Sequence, residues 1–180
     1  MEQYDSYFLQ ALATTALISA LANNQYLKDD HFQILKFDND SFKNIIKLSG
    51  IGNPATLQMF LYALLVAPYE MNKEHKLNME FEKLNQYISK YIIDSQSNYS
   101  YDINEINYIR HIRNSISHSK CNFFAENNNC FITFWDQDNS HGNSYKCDFT
   151  IRTADVGKLL EKIQLIILTY FQNKYPEKCI

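Results

Sequence analysis

The residues best suited to chemistry lie together in one stretch, Arg113-Asn114-Ser115-Ile116-Ser117-His118. Arginine can hold an anion through parallel hydrogen bonds, and asparagine can orient a neighbouring group. Histidine can give or take a proton near neutral pH. An Arg-Asn-x-x-x-His pattern of this kind suits a site that binds an anion and transfers a proton beside it.

This pattern lies near the end of a predicted helix over residues 102–120. Asp102 and Glu105 have the spacing of a D-x-x-E capping box, which predicts that the helix begins at Asp102. Isoleucines then recur every three or four residues, as expected for a helix face that packs on the core. They are Ile106, Ile109, Ile112 and Ile116.

A second stripe on the same helix is polar. Arg110, Asn114 and His118 follow one another at intervals of four, so they line one side of the helix. Arg113 falls at the edge of the isoleucine face, where a cation needs an anion or a route to solvent. Spacing alone leaves two interpretations open. Either these residues form a functional site, or Arg113 pairs with a carboxylate and His118 lies near favourable carbonyl dipoles at the helix end.

The chain before residue 102 predicts a helical scaffold. Apolar spacing predicts helices over residues 4–21, 42–48, 55–66 and 77–93, with loops at 28–40 and 94–100. Asp40 or Ser41 is the predicted cap of the second helix. Gly50-Ile51-Gly52-Asn53-Pro54 is interpreted as a helix end followed by an Asn53 cap with Pro54 in the first helical position, rather than as a phosphate-binding loop.

After residue 120 the chain alternates between apolar and polar residues, which predicts strands over residues 121–125, 130–135 and 145–151. Polar turns at 126–129 and 136–143 join them as an antiparallel meander. Thr153 is the predicted cap of a last amphipathic helix that ends near residue 173. The predicted fold is therefore mainly α (α+β): about five to six helices with a small three-stranded sheet before the last helix, in a single domain over residues 1–180.

Composition narrows the range of functions. The chain of 180 residues has a net charge of −3, which argues against a general nucleic-acid or membrane-surface binder. An anionic ligand would therefore need a local basic cluster. Glu2 and Asp5 precede the apolar run at residues 8–22 and polar residues dilute it, which favours a buried helix over a secretion signal or a membrane span.

The cysteines show no C-x-x-C pair; they are Cys121, Cys130, Cys147 and Cys179. Free thiols in a reducing cytosol are the simplest explanation, so we expect a cytoplasmic protein. A zinc site built from His118 and the first three cysteines remains an alternative, because three of the four fall in the strand-like region.

The run from residue 109 to residue 119 resembles the signature of the HEPN (higher eukaryotes and prokaryotes nucleotide-binding) superfamily. That signature is an arginine followed after four to six residues by a histidine, usually with a polar residue directly after the arginine. Here the three residues are Arg113, Asn114 and His118, with a spacer of four. Residues 49–54, 62–68, 131–136 and 153–156 resemble a plasmid-borne HEPN subgroup, so the resemblance extends over nearly the whole chain.

This resemblance implies a metal-independent endoribonuclease without a cofactor, often a toxin of a toxin–antitoxin or phage-defence system. It also implies a homodimer in which the 102–120 helices of two copies face each other and build one cleft. Arg113, Asn114 and His118 carry over as catalytic residues, and Arg110 and Lys120 would add attraction for RNA phosphates. The expected partners are an RNA substrate and an antitoxin protein, not a membrane.

RNA chemistry suits these residue types, because the 2′-hydroxyl can attack the neighbouring phosphate without a metal. His118 would act as general base or acid and Arg113 would hold the phosphate. Asn114 would orient the phosphate or the ribose, or polarise His118. Two copies would supply both a base and an acid.

Two further points stay open from the sequence. HEPN partners of nucleotidyltransferase antitoxins often carry a tyrosine two residues after the histidine, where this chain has Lys120, so no antitoxin type is assigned. The alternative to a nuclease is a non-catalytic HEPN-like module that binds a nucleotide or a partner protein. Tyr99, Tyr101 and Tyr108 beside the motif fit either function, through base stacking or through protein contact.

Overall fold

The computed structural model describes residues 3–68, 78–139 and 144–177. These ranges contain seven α-helices and one four-stranded antiparallel sheet, so the predicted mainly α fold with a small sheet is confirmed. The helices are α1 (Gln3–Asn23), α2 (Asp30–Ile34), α3 (Asp40–Ser49), α4 (Pro54–Leu61), α5 (Asn78–Ile88), α6 (Tyr108–Ser117) and α7 (Thr153–Lys174). The strands are β1 (Ile92–Ser97), β2 (Cys121–Glu126), β3 (Asn129–Asp138) and β4 (Tyr145–Arg152). The helix beyond the predicted six is α2, a short helix in the segment predicted to be mainly loop.

The sheet has the strand order β1-β4-β3-β2. Strands β2, β3 and β4 form the predicted meander. The β2–β3 hairpin turns at Asn127 and Asn128, whose φ angles of 49° and 62° are those that a tight two-residue hairpin turn requires. Strand β3 continues to Asp138, and residues 140–143 of the second predicted turn lie outside the described residues.

Strand β1 corrects the sequence prediction. The sequence predicts a helix to residue 93 and a loop to residue 100, but α5 ends at Ile88 and residues 92–97 pair antiparallel with β4. Because β1 is an edge strand with a mostly polar sequence, it lacks the apolar alternation that identifies half-buried strands. The sheet therefore has four strands rather than three.

The core lies between one face of the sheet and the helices that cover it, with α6 packed on β3 and α7 packed on β3 and β4. Ile109, Ile112 and Ile116 of α6 are buried, which confirms the predicted isoleucine face, while Ile106 precedes the helix and packs at the edge of the core. Each fully buried side chain of this size contributes about 1.5–3 kcal/mol to folding. In the described ranges, every helix is too short or too polar to cross a membrane.

The turn between α3 and α4 follows its prediction. Gly50 ends α3 with a φ of 75°, a left-handed conformation that suits glycine. Asn53 caps α4 by accepting a hydrogen bond from the backbone N–H of Thr56 at 3.0 Å, and Pro54 occupies the first helical position. The predicted helix over 55–66 continues beyond α4 as a buried π-helical turn, Tyr62–Val66.

Two other predicted caps are wrong. Asn39, rather than Asp40 or Ser41, caps α3 by accepting a hydrogen bond from the N–H of Ser41 at 2.8 Å. Thr153 lies inside α7 and donates its hydroxyl to the carbonyl of Cys130 in β3. The Thr153 hydroxyl therefore bonds to a carbonyl of the sheet, whereas the sequence predicts that it bonds to the first turn of its own helix.

Helix α6 begins later than predicted. Asn107 caps it by accepting a hydrogen bond from the N–H of Arg110 at 3.0 Å. Asp102 lies in a 3-10 turn, Ser100–Asp102, and its side chain is buried. Glu105 accepts a hydrogen bond from Nδ2 of Asn85 at 3.1 Å instead of closing a capping box. The predicted box fails because the two carboxylates bind other partners: Asp102 bonds to His111, and Glu105 bonds to Asn85.

Candidate active site

One cleft of about 370 Å³ brings together four of the five predicted site residues. Arg110 and Asn114 line it from α6, and His118 and Lys120 line it from the segment that follows. The other lining residues come from the connection before α6 and from β3: Tyr99, Tyr101, Asp136, Gln137 and Asp138. This cavity is called the cleft below.

The end of α6 turns the chain back toward the cleft. Ser119 adopts a left-handed φ of 54°, and its N–H donates to the carbonyl of Ile116 at 3.2 Å. The N–H of Lys120 donates to the carbonyl of Ser115 at 2.7 Å, which completes a Schellman arrangement. His118 is the residue at which the helix ends, so its exposed side chain lies at the rim.

Arg113 lies outside the set of residues that line the cleft and is half-buried on another side of α6. Helical geometry explains the separation, because Arg113 and His118 are about 140° apart around the axis whereas Asn114 and His118 are only about 40° apart. One chain therefore brings Asn114 and His118 to the same cleft and leaves Arg113 on a neighbouring surface.

A chain of four polar side chains leads from the interior to the cleft: the buried Asp102, His111 and Asp136, and the half-buried Asn114. His111 has 0% exposure. Its Nε2 lies 2.8 Å from Oδ2 of Asp102, and its Nδ1 lies 2.7 Å from Oδ2 of Asp136. The same oxygen of Asp136 accepts a hydrogen bond from Nδ2 of Asn114 at 2.9 Å. These four residues are called the relay below.

The relay holds Asp136 as a carboxylate. Burial by itself would raise the pKa of Asp136, but hydrogen bonds from His111 and Asn114, together with the charges of His111 and Lys120, lower that pKa below its usual value. An imidazole can bond to two carboxylates only by donating from both ring nitrogens. His111 therefore joins Asp102 to Asp136 through its two ring nitrogens.

Stacked aromatic rings form another wall of the cleft. Tyr99 stacks between Tyr145 and Tyr101, with ring centroids 5.5 and 5.0 Å away, and the guanidinium of Arg110 covers Tyr101. Tyr99 and Tyr108 are buried, so neither ring can stack on a base as the sequence suggested. Burial raises the pKa of Tyr101 to about 12, so its phenol is protonated at neutral pH.

A family model described as HEPN pEK499 p136 matches residues 1–174 of this chain. The chain belongs to this HEPN family. Comparisons with curated proteins and with solved structures gave no significant match. Family membership confirms the resemblance first carried by residues 109–119 and places the chain among domains of the nucleotide-binding and ribonuclease type.

The strand register of this HEPN protein does not support the zinc alternative. Cys130 lies in β3 itself, and Cys147 lies opposite Asp136, six positions further along β3. At about 3.3 Å per residue, the two cysteines are roughly 20 Å apart along the strand, too far to share an ion. Cys121 lies opposite Phe134, between the two.

Asp102, His111 and Cys147 form a tighter group, with one ligand atom from each within 4.8 Å of the others. Both nitrogens of His111 already bond to carboxylates. Burial raises the pKa of Cys147 to about 12, which keeps it a thiol, whereas metal ions bind the thiolate. The group is therefore better described as a hydrogen-bonded cluster of the HEPN core than as a metal site.

Sequence reasoning missed His111 and Asp136 and assigned Asp102 the wrong role. One signal was available for Asp136, which continues the alternation of the buried residues Ile132 and Phe134 in β3. An aspartate at a core-facing strand position needs a buried partner. Nothing in the sequence identifies that partner as His111.

Proposed function

We propose that this HEPN protein is a metal-independent endoribonuclease that acts in the cytoplasm as a toxin of a toxin–antitoxin or phage-defence system. The observation that carries the proposal is that Asn114 and His118 line one cleft with the cations Arg110 and Lys120. Such a cleft combines a proton-transfer group with groups that attract phosphate. The toxin role rests on the resemblance to the plasmid-borne subgroup.

In the proposed reaction the 2′-oxygen of a ribose bonds to the adjacent phosphorus, and the bond from phosphorus to the next 5′-oxygen breaks. His118 takes the proton of the 2′-hydroxyl, a contribution of about 10²–10⁴ in rate. A proton donor returns a proton to the leaving 5′-oxygen. The products are a 2′,3′-cyclic phosphate and a 5′-hydroxyl, and the charge that develops on the phosphate is met by Arg113, Arg110 and Lys120.

A homodimer through α6 would complete the site. Arg113 is separated from His118 by about 140° around α6, so a second copy is the simplest way to bring an arginine to the phosphate that His118 serves. The second copy would also supply the second histidine as the proton donor. Next to the exposed side of α6 is a groove lined by α4 and its π-helical turn, in which Met59 and Tyr62 are 57% and 52% exposed. Apolar side chains that are this exposed beside the motif helix support a contact between copies at this position.

A second function follows from the charges of the cleft. Asp136 and Asp138 line it beside Arg110 and Lys120, so the cations face an equal number of carboxylates. A cleft with this balance suits a nucleotide or a partner protein with mixed charge better than it suits a long polyanion. A non-catalytic binding module is therefore the alternative proposal.

The deciding experiment incubates the purified protein with total RNA in EDTA and identifies the ends of any products. We expect cleavage with 2′,3′-cyclic phosphate and 5′-hydroxyl ends, and its loss in His118→Ala and Arg113→Ala. His31→Ala and Arg152→Ala are matched controls, because both side chains are exposed and lie outside the cleft. Full activity of either site variant would overturn the assignment. Inactivity of the wild type with ligand-dependent thermal shifts would favour the binding module.

The dimer is tested by mixing the wild type with an excess of His118→Ala protein. If two histidines serve one site, mixed dimers are impaired and the specific activity falls further than dilution predicts. Activity that depends only on the amount of wild type would show that each chain holds a complete site. The toxin role is tested by induced expression, which should arrest growth for the wild type and not for His118→Ala.

A further inference from the structure

We propose that His111 is a positioning residue that sets the orientation of Asn114 through Asp136 and so makes Asn114 a hydrogen-bond acceptor in the cleft. The inference deepens the proposed function and rests on it for the identity of the substrate. His111 itself is fully buried and is not among the residues that line the cleft.

The first step concerns how the relay is anchored. Asp102 accepts hydrogen bonds from the backbone N–H of Asn107 at 3.2 Å and from the hydroxyl of Ser97. Ser97 ends β1 and Asn107 caps α6, so Asp102 is fixed by two elements at once. A carboxylate anchored in this way fixes the imidazole of His111, because Nε2 bonds to it at 2.8 Å.

The second step concerns charge. Asp102 and Asp136 are both buried, and two buried carboxylates next to each other would repel. The ring of His111 lies between them and bonds to both. Removing it would leave Asp136 close to Asp102 without a hydrogen-bond partner between them, so Asp136 would turn toward solvent or take up a proton. In either case its hydrogen bond with Asn114 would weaken.

The third step concerns what Asn114 offers to the cleft. Its Nδ2 donates one hydrogen to Asp136 at 2.9 Å, which fixes the orientation of the amide and leaves the carbonyl Oδ1 as its acceptor and a single N–H as its remaining donor. An oxygen acceptor repels phosphate oxygens and attracts O–H and N–H groups. Asn114 is therefore placed to accept from a ribose 2′-hydroxyl or from the imidazole N–H of His118, one helical turn away. The relay thus uses one of the two donors of Asn114 and favours its role as an acceptor over a role in binding phosphate.

The test is a double-mutant cycle between His111→Phe, which keeps most of the ring volume, and Asn114→Ala. We expect His111→Phe to lower kcat by roughly tenfold to a hundredfold with little change in KM, since misplacing a group in a reacting site has effects of that order. In the Asn114→Ala background the same substitution should have almost no further effect on kcat. Equal effects in both backgrounds would overturn the proposal, because they would mean that His111 acts only through overall stability.

A second readout does not depend on cleavage. Affinity is measured in His118→Ala protein, which holds RNA without cleaving it, for a short RNA and for the DNA of the same sequence, with and without Asp102→Asn, a substitution that leaves the shape of the relay intact. If Asn114 accepts from the 2′-hydroxyl, the RNA binds more tightly than the DNA, and Asp102→Asn reduces the difference. An RNA preference that Asp102→Asn leaves unchanged would overturn the proposal.

NMR of the Asn114 side-chain amide keeps the proposal testable if no RNA is bound or cut. The amide proton that donates to Asp136 should exchange slowly with solvent in the wild type and faster in Asp102→Asn. Slow exchange that is unchanged in the variant would overturn the positioning role. If the wild type fails to cleave RNA while the amide protection behaves as expected, the proposed reaction fails and the relay stands.

Discussion

The guanidinium carbon of Arg110 lies 3.9 Å from the centre of the Tyr101 ring, directly over its face. Tyr101 also stacks on Tyr99, with the two ring centroids 5.0 Å apart. A cation and a second aromatic ring therefore contact Tyr101, although the residue is 43% exposed. We expect the ring of Tyr101 to hold the guanidinium of Arg110 in place at the cleft.

Substitution of Tyr101 tests this arrangement. Tyr101→Leu removes the ring and with it a cation–π contact of about 0.5–1 kcal/mol, so the Kd for an uncleavable RNA should rise by a factor of about 2–5. Tyr101→Phe keeps the ring face and should bind like the wild type. Fluorescence anisotropy with a labelled 2′-O-methyl RNA measures both. Equal loss in the two variants would mean that the hydroxyl matters rather than the ring.

The hydroxyl of Ser115 gives a stability prediction, because its buried Oγ has no hydrogen-bond partner within the described ranges. Ser115→Ala removes an unsatisfied polar group and adds a residue with higher helix propensity. We expect the free energy of unfolding to stay the same or to rise by up to about 1 kcal/mol in urea denaturation. Ser117→Ala is the control, since its exposed hydroxyl donates to the carbonyl of Arg113. A loss of more than about 1 kcal/mol in Ser115→Ala would mean that an internal water bonds to this hydroxyl.

The elements that the sequence predicts correctly are those whose signals are local. Gly50 and Asn53 define the turn between α3 and α4 by their own conformations, and the two asparagines at 127 and 128 define the β2–β3 hairpin. Strand β1 escapes prediction because its partner, β4, lies about fifty residues further along the chain. Residues 92–97 alone contain no information about that pairing.

The residues of the candidate site also include some that local sequence signals predict and some that they do not. Arg110, Asn114 and His118 are found by their spacing, since residues at intervals of four share one side of any helix. Asp102 is misassigned because its partner His111 is nine residues away and the second carboxylate on that histidine, Asp136, is 25 residues further. The Asp102 carboxylate could either cap a helix or bond to a buried side chain. The sequence does not distinguish these two roles, whereas the structure shows the bond to His111.

Acid should destabilise the protein through Asp136. Its pKa is lower in the folded chain than in the unfolded chain, so ionised Asp136 stabilises the fold above its unfolded pKa, about 3.9, and this stabilisation is lost as pH falls through the folded pKa. The groups that lower this pKa are His111, Asn114 and Lys120. Asp136→Asn should therefore be less stable than the wild type at pH 7, and the gap between their melting temperatures should narrow below about pH 4. A constant gap across this range would contradict the lowered pKa.

The cysteines should differ in reactivity. Burial raises the pKa of Cys147 to about 12, so almost none of it is thiolate at pH 8, whereas Cys130 is exposed. Iodoacetamide at pH 8 should therefore modify Cys130 within minutes and Cys147 only after urea is added. Peptide mapping by mass spectrometry separates the two. Rapid native labelling of Cys147 would mean that the cluster around His111 opens to solvent.

Asn85 gives the sharpest test of how α6 is held. This buried side chain on α5 donates from Nδ2 to Oε1 of Glu105 at 3.1 Å and to the carbonyl of Ile106 at 3.0 Å, and its Oδ1 accepts from the N–H of Ile109 at 3.4 Å. Asn85 thus bonds to a backbone carbonyl before the start of α6 and to a backbone N–H in its first turn. The sequence predicts that the Asp102–Glu105 capping box stabilises this helix start instead.

Asn85→Ala should therefore lower the free energy of unfolding by about 1–3 kcal/mol, because the buried carbonyl and N–H lose their partner. Amide exchange at Ile109 should accelerate as the first turn of α6 frays. Gln86→Ala, on the exposed side of the same helix, is the matched control and should change stability by less than about 0.5 kcal/mol. Since Arg110 follows directly in that first turn, RNA affinity should weaken in Asn85→Ala at temperatures well below its melting point. Stability and affinity that match the control would show that α6 is held by its core face alone.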